Sequence, residues 1–176
     1  MRGLSLLLLL ACVAFSKSIN VHVYGMAGTG KSTLVSILCA GDFTAVSHQG
    51  EGTFNPHVHT NCTSYNWVVV DIPGYGIPRR SSVHSVTIPY DDETITILAI
   101  GPRVYTQDVD AFKFLILNTP VIVVRTRCDI FPCDQFALYK TLMAYFGGSM
   151  IFGVSKDQEH TKDVLNLIEF IQHLKE

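Results

Sequence analysis

Charge is scarce in this chain. Only 16% of its 176 residues are charged, and 13 Lys and Arg stand against 15 Asp and Glu for a net charge of −2. The basic residues are scattered, which argues against nucleic-acid binding, because phosphate backbones are held by a clustered positive field. No apolar run reaches the ~20 residues that a helix needs to span a bilayer. Internal repeats, low-complexity tracts and linkers are absent as well. The five cysteines have neither paired metal-ligand spacing nor the density of a small disulfide scaffold, so they leave the redox compartment open. Cys39, on an apolar helix face, reads as a buried free thiol. His57 and His59 share one face of a strand, but no third ligand of matching character lies near them, so they read as a solvent-facing pair. What the chain does have is 48% apolar residues, enough at this length for a single domain with a sizeable core.

The first sixteen residues stand apart. Met1-Arg2 gives a positive start, residues 4–15 are apolar except for Ser5, and Ala14-Phe15-Ser16 has the small-x-small form of a signal-peptidase site. The expected organisation is a secretory signal over residues 1–16 followed by one domain over residues 17–176. A cytosolic protein with an apolar N-terminal helix is the alternative, so the localisation is either the secretory pathway or the cytoplasm.

The stretch that organises the rest is Gly25-Met26-Ala27-Gly28-Thr29-Gly30-Lys31-Ser32, directly after the alternating run Ile19-Asn20-Val21-His22-Val23-Tyr24. Glycines let successive backbone N–H groups turn inward as a nest, and the helix that follows presents its positive end to the same point. Gly25, Ala27, Gly28, Thr29, Gly30, Lys31, Ser32 and Thr33 are therefore candidates for holding a phosphate chain. Lys31 would reach the β and γ phosphates, and Ser32 would offer its hydroxyl to Mg²⁺.

Further along, Trp67-Val68-Val69-Val70-Asp71 is an apolar strand ending in an acid, the pattern of a buried strand whose carboxyl end points into a site. Asp71-Ile72-Pro73-Gly74 has the form Asp-x-x-Gly, in which the carboxylate holds a metal hydration shell and the Gly74 N–H meets a γ phosphate. Between the two motifs, residues 42–56 are polar and Gly-rich, and read as a mobile loop. Thr53 is the candidate for closing on the metal, with Thr44 and Thr60 as alternatives. Residues 75–93 read as a second mobile segment carrying Arg79 and Arg80, most simply solvated. The β-branched run Val121 to Val124 delivers Arg125-Thr126-Arg127-Cys128-Asp129. An acid in the position of Asp129 can accept two hydrogen bonds, from N1 and the 2-amino group of guanine, whereas adenine lacks that pair of donors. Hydrogen bonds to a charged partner are worth about 1.5 to 3 kcal/mol, so this one residue can set base choice. The Arg127 stem would lie along the base plane, and Ser155-Lys156, after the last strand, would bring backbone N–H groups to the base oxygen.

The ordered set GMAGTGKS, DIPG, TRCD and VSK resembles the motif series of the Ras-like P-loop GTPases, and each motif follows an expected strand. Within that superfamily, Asp71-Ile72-Pro73-Gly74-Tyr75-Gly76 and Val123-Val124-Arg125-Thr126-Arg127-Cys128-Asp129 look most like the interferon-inducible immunity-related GTPases. The resemblance implies phosphate roles for Gly25, Gly30 and Lys31, metal roles for Ser32 and Asp71, and guanine roles for Thr126, Arg127, Asp129 and Ser155. It also implies a guanine nucleotide and Mg²⁺ as ligands. Membrane association and a homodimer through the nucleotide face are further family properties. They carry over weakly, because the helical segments that flank the family's GTPase domain are missing here. Two residues depart from the pattern. Arg127 stands where the family has Lys, and Arg offers a planar fork instead of a compact ammonium. Tyr75 stands where many Ras-like enzymes keep a water-orienting Gln, which implies slow unaided hydrolysis.

The fold expected from these strands and helices is a three-layer α/β/α sandwich. Its six-stranded, mostly parallel sheet has one antiparallel strand over residues 58–65 and helices on both faces. The expected activity is Mg²⁺-dependent GTP binding with slow hydrolysis, Lys31 being the catalytic charge. The rivals are a degenerate or secreted GTPase-like interaction module, and an ATP-dependent nucleotide kinase, which would not need Asp129.

Overall fold

The computed structural model describes residues 18–39, 57–62, 67–76, 91–128, 130–131, 135–147, 149–154 and 161–174. Among the described residues, six strands form one sheet: β1 (Ile19–Tyr24), β2 (His57–Cys62), β3 (Trp67–Asp71), β4 (Thr94–Ile100), β5 (Val121–Arg125) and β6 (Ile151–Gly153), in the order β2-β3-β1-β4-β5-β6. Five of them run parallel, and β2 pairs antiparallel with β3, with an irregular register between His59 and Cys62. This is the expected sheet, including its one reversed strand. The helices are α1 (Lys31–Leu38), α2 (Thr106–Leu115), α3 (Gln135–Phe146) and α4 (Thr161–His173).

Strand alternation sorts the core into two layers. Val21 and Val23 of β1, with Val69, Ile95, Ile97, Ile122 and Val124, face α1 and α4, which contribute Leu34, Leu38, Leu167 and Ile171. Tyr24, Val70, Leu98, Ile100 and Val123 point the other way, toward Ala111, Phe112 and Leu115 of α2 and Leu142 and Phe146 of α3. The Phe112 and Phe146 rings meet edge-on, with centroids 5.2 Å apart. Period-2 burial on both faces explains why the central strands read as continuous apolar runs. With β3 and β4 flanking β1, the strand order reverses beside β1. In open α/β sheets that reversal opens a crevice at the carboxyl ends of the strands.

Two local readings change, at Cys39 and at Tyr75. Helix α1 ends at Leu38, and Cys39 is not a free thiol: it is disulfide-bonded to Cys62, 23 positions on. The bond joins the end of α1 to the end of β2, a proximity that depends on β2 folding back against β3 and so leaves no trace in local spacing. Cys128 is disulfide-bonded too. Helix α2 stops at Leu115, and Ile116, just past its end, is half exposed. Tyr75, assigned to a mobile segment, is buried at 5% exposure and bridges to Met26.

Candidate functional site

The loop after β1 is shaped by three glycines at positive φ. Gly25 has φ 152°, and a Cβ there would lie 2.2 Å from the Ala99 carbonyl oxygen of the neighbouring strand. The chain can leave β1 this close to β4 only without a side chain. Gly30, at φ 88°, is the residue before α1, and Gly28 is also left-handed at φ 76°. Ala27 and Gly28 are exposed at the tip of the turn, while Thr29 donates through its hydroxyl to the Met26 carbonyl at 2.9 Å. Helix α1 then starts at Lys31, so its first N–H groups open into the loop.

Lys31 is 6% exposed, and its Nζ donates to the Met26 carbonyl at 2.9 Å. Burial pushes its ammonium below the usual lysine range, while nearby Asp71 acts in the opposite direction. One turn position on, Ser32 Oγ donates to Asp71 Oδ2 at 2.6 Å. Asp71 closes β3 and is itself buried. The chain after it folds straight across the loop. A Cβ on Gly74 would lie 2.7 Å from Ala27 N and Cα and 2.9 Å from Lys31 Nζ, so the Gly74 backbone is pressed onto the phosphate-loop candidates. Ala27 N donates to the Tyr75 carbonyl at 3.0 Å. Thr33, the next residue of α1, is half-buried behind Ser32.

The other side of the crevice comes from β5. The Thr126 hydroxyl donates to the Thr29 carbonyl, and the Ile100 carbonyl lies 3.0 Å from the same oxygen. This side chain, 97 positions from Thr29 in sequence, ties the TRCD segment to the phosphate-loop candidates. Arg127 is exposed in a left-handed conformation, φ 62°, and so breaks the strand direction just before Asp129. Cys128 N donates to the Val154 carbonyl at 3.4 Å, and Val154 N to the Arg125 carbonyl at 2.7 Å. The approaches to Asp129 and to Ser155 therefore run side by side. Thr53, Asp129, Ser155 and Lys156, with Thr44, Arg79 and Arg80, lie outside the described residues. The same holds for the side chains of Thr60, His57 and His59.

Thus Gly25, Ala27, Gly28, Thr29, Gly30, Lys31, Ser32, Thr33, Asp71 and Gly74 meet at one end of the sheet, with Thr126 and Arg127 beside them. Sequence reasoning missed three features there. The Met26 carbonyl gathers both Thr29 and Lys31, a backbone role with no sequence signal. Arg125, 8% exposed, donates from Nη1 to the Gly101 carbonyl at 2.5 Å. Tyr75 Oη donates to Asp108 Oδ1, in the first turn of α2, at 2.6 Å. An aromatic hydroxyl beside an Asp-x-x-Gly motif was the only available hint of the last.

No protein-family model matches the chain, and no curated protein matches it in sequence. In three dimensions it is similar to the crystal structure of a probable GTP-binding protein engB, with a TM-score of 0.60 over 88% of this chain and 98% of that one, at 16% identity. The likeness at that identity is one of fold, an α/β domain with helices on both faces of a mostly parallel sheet.

Proposed function

We propose that this chain binds guanine nucleotide with Mg²⁺ and hydrolyses GTP slowly to GDP and phosphate. The observation that carries the proposal is the convergence of Lys31 Nζ, the Ser32–Asp71 pair and the Gly74 backbone on the loop that opens α1. A buried lysine whose charge is poorly solvated is poised to accept a phosphate anion as its counter-charge. Helix α1 adds the positive end of its dipole, and the Gly74 N–H would meet the transferring group.

The donor set fits Mg²⁺. Ser32 Oγ and Asp71 are oxygen ligands, and no group of three or more His, Cys, Asp or Glu side chains among the described residues forms a closed cage. That matches a cation held by one or two protein groups, with phosphates and water completing its shell. When bound, the metal would neutralise charge on the β and γ oxygens. Guanine choice is assigned on sequence grounds to Asp129, which follows Thr126 and Arg127 in the chain, and Ser155 and Lys156 would meet the base oxygen; these three lie outside the described residues. Hydrolysis is slow in this reading because the Tyr75 hydroxyl is engaged by Asp108 instead of orienting water.

Among GTPases, the phrases Asp71 to Gly76 and Val123 to Asp129 support a kinship with the immunity-related group. The disulfide between Cys39 and Cys62 supports the secretory reading of residues 1–16, because such bonds persist in oxidising compartments. That bond also favours a second reading: a secreted GTPase-like interaction module with weak or no turnover.

Thermal unfolding with Mg²⁺ and each nucleotide separates the readings. Ligand at 100 times its dissociation constant should add about 2.7 kcal/mol of stability, for GTP and GDP but not for ATP. Equal shifts with ATP and GTP would overturn the guanine assignment. Phosphate release over hours, present in the wild type and lost in Lys31→Ala, is expected of the enzyme; its absence in both favours the module.

A further inference from the structure

The segment that follows Asp71 is held from two sides. Its backbone is fastened to the phosphate loop by the Ala27 N–H on the Tyr75 carbonyl and by the parallel bridge between Met26 and Tyr75. Its side chain is fastened to a different element. The Tyr75 ring is buried in the layer with Leu98, Ile100, Ala111 and Phe112, and its hydroxyl donates to Asp108 at 2.6 Å. Asp108 is 1% exposed, and its second oxygen accepts from Tyr105 N at 2.9 Å, closing the first turn of α2. Both carboxylate oxygens are therefore engaged, one by the Asp-x-x-Gly segment and one by the start of a helix.

Gly74 sits between these fastenings. Its α carbon lies so close to the loop that even a methyl group on it would overlap Ala27 and Lys31 Nζ. Retreat is opposed by Tyr75, whose movement would strip a buried carboxylate of its partner. Leaving a buried charged acceptor unpaired is costly. Gly76, at φ 82°, lies against the Met26 side chain, whose Cε would stand 3.0 Å from a Cβ there.

We infer that Tyr75 and Asp108 are positioning residues: their hydrogen bond holds the Gly74 N–H where the terminal phosphate of a triphosphate would meet it, making the site selective for tri- over diphosphate. The inference rests on the proposed nucleotide site. Burial raises the acidity threshold of the Tyr75 hydroxyl, with Asp108 adding to the effect, so it stays a donor at physiological pH. The same bond makes the first turn of α2 the element that moves when Gly74 does.

The test is a comparison of affinities in the full chain. Fluorescent GDP and a non-hydrolysable GTP analogue, each with Mg²⁺, are titrated into the wild type, Tyr75→Phe, Asp108→Asn and the double variant. Tyr75→Phe keeps the ring in its pocket and removes only the hydroxyl. The wild type should bind both ligands. Tyr75→Phe should bind the GTP analogue about tenfold more weakly, the scale of one phosphate hydrogen bond weakened by misplacement, with GDP affinity unchanged. The double variant should lose no more than Tyr75→Phe alone, as expected when two residues act through one bond. Equal weakening for both ligands, an unchanged ratio, or tighter triphosphate binding would overturn the inference while leaving the nucleotide site standing. A wild type that binds neither ligand would overturn the proposed function, and this inference with it.

Discussion

Breaking the Cys39–Cys62 bond should cost a large part of this domain's stability. The bond closes a loop with a sequence separation of 23, and both residues are at most 3% exposed within the core that α1 and α4 form with the sheet. Taking the chain-entropy relation for a closed loop of about 24 residues gives roughly 3 kcal/mol at 25 °C. The double variant Cys39→Ala/Cys62→Ala removes the bond and only two sulfur atoms, so its effect isolates the cross-link with a small packing loss. In a chain of this size each kcal/mol moves the melting temperature by about 2–4 °C, so a fall of about 6–12 °C is expected. Differential scanning calorimetry of the wild type with and without reductant, and of the double variant, measures this directly. Alkylation of the denatured, unreduced protein followed by mass spectrometry reads the bond itself. Melting temperatures within about 2 °C of one another, or alkylated Cys39 and Cys62 without reduction, would refute the reasoning.

Lys31 carries an opposite pair of effects. Because burial disfavours its charge, Lys31→Met should leave nucleotide-free protein as stable as the wild type or up to about 1–2 kcal/mol more stable, while abolishing the nucleotide-dependent thermal shift. A less stable variant that still shows the shift would contradict this. Gly25→Ala places a methyl group 2.2 Å from the Ala99 carbonyl oxygen at φ 152°, and urea titration should show a loss of about 3 kcal/mol. A change within about 0.5 kcal/mol would contradict the close approach of β1 to β4. His22 lies buried in β1, and desolvation lowers its pKa despite the opposing field of Asp91. A histidine whose folded pKa is depressed contributes stability that is full above its unfolded value near 6.5 and is lost as pH falls toward the folded value. Melting temperature should therefore fall below about pH 6.5 more steeply in the wild type than in His22→Gln, and parallel profiles would contradict this.

What could be read from the sequence follows its local chemistry. Gly25 to Ser32 could be placed because alternating β1, the glycine spacing and the apolar turn of α1 all point to the same strand-loop-helix unit. Asp71 could be paired with Ser32 because an acid at the carboxyl end of an apolar strand lands beside the loop in any parallel sheet of this order. That β2 is a strand was visible in its alternation. Contacts made only by the assembled fold were not visible. The Cys39–Cys62 bond depends on the return of β2 along β3. The Tyr75–Asp108 bond spans 33 positions, so Tyr75 read as part of a loop. Ile116 and Leu117 are apolar, yet both lie exposed just beyond the end of α2. Apolar character marks what can be buried and does not say where a helix stops.

The central claim is guanine-nucleotide binding at the Gly25–Ser32 loop, and calorimetric titration tests it most directly. With Mg²⁺ present, GDP should bind the wild type at one site. ADP should bind at least about a hundredfold more weakly, and Lys31→Ala should show no measurable heat with GDP. No GDP binding by the wild type, equal binding of GDP and ADP, or undiminished binding by Lys31→Ala would contradict the account.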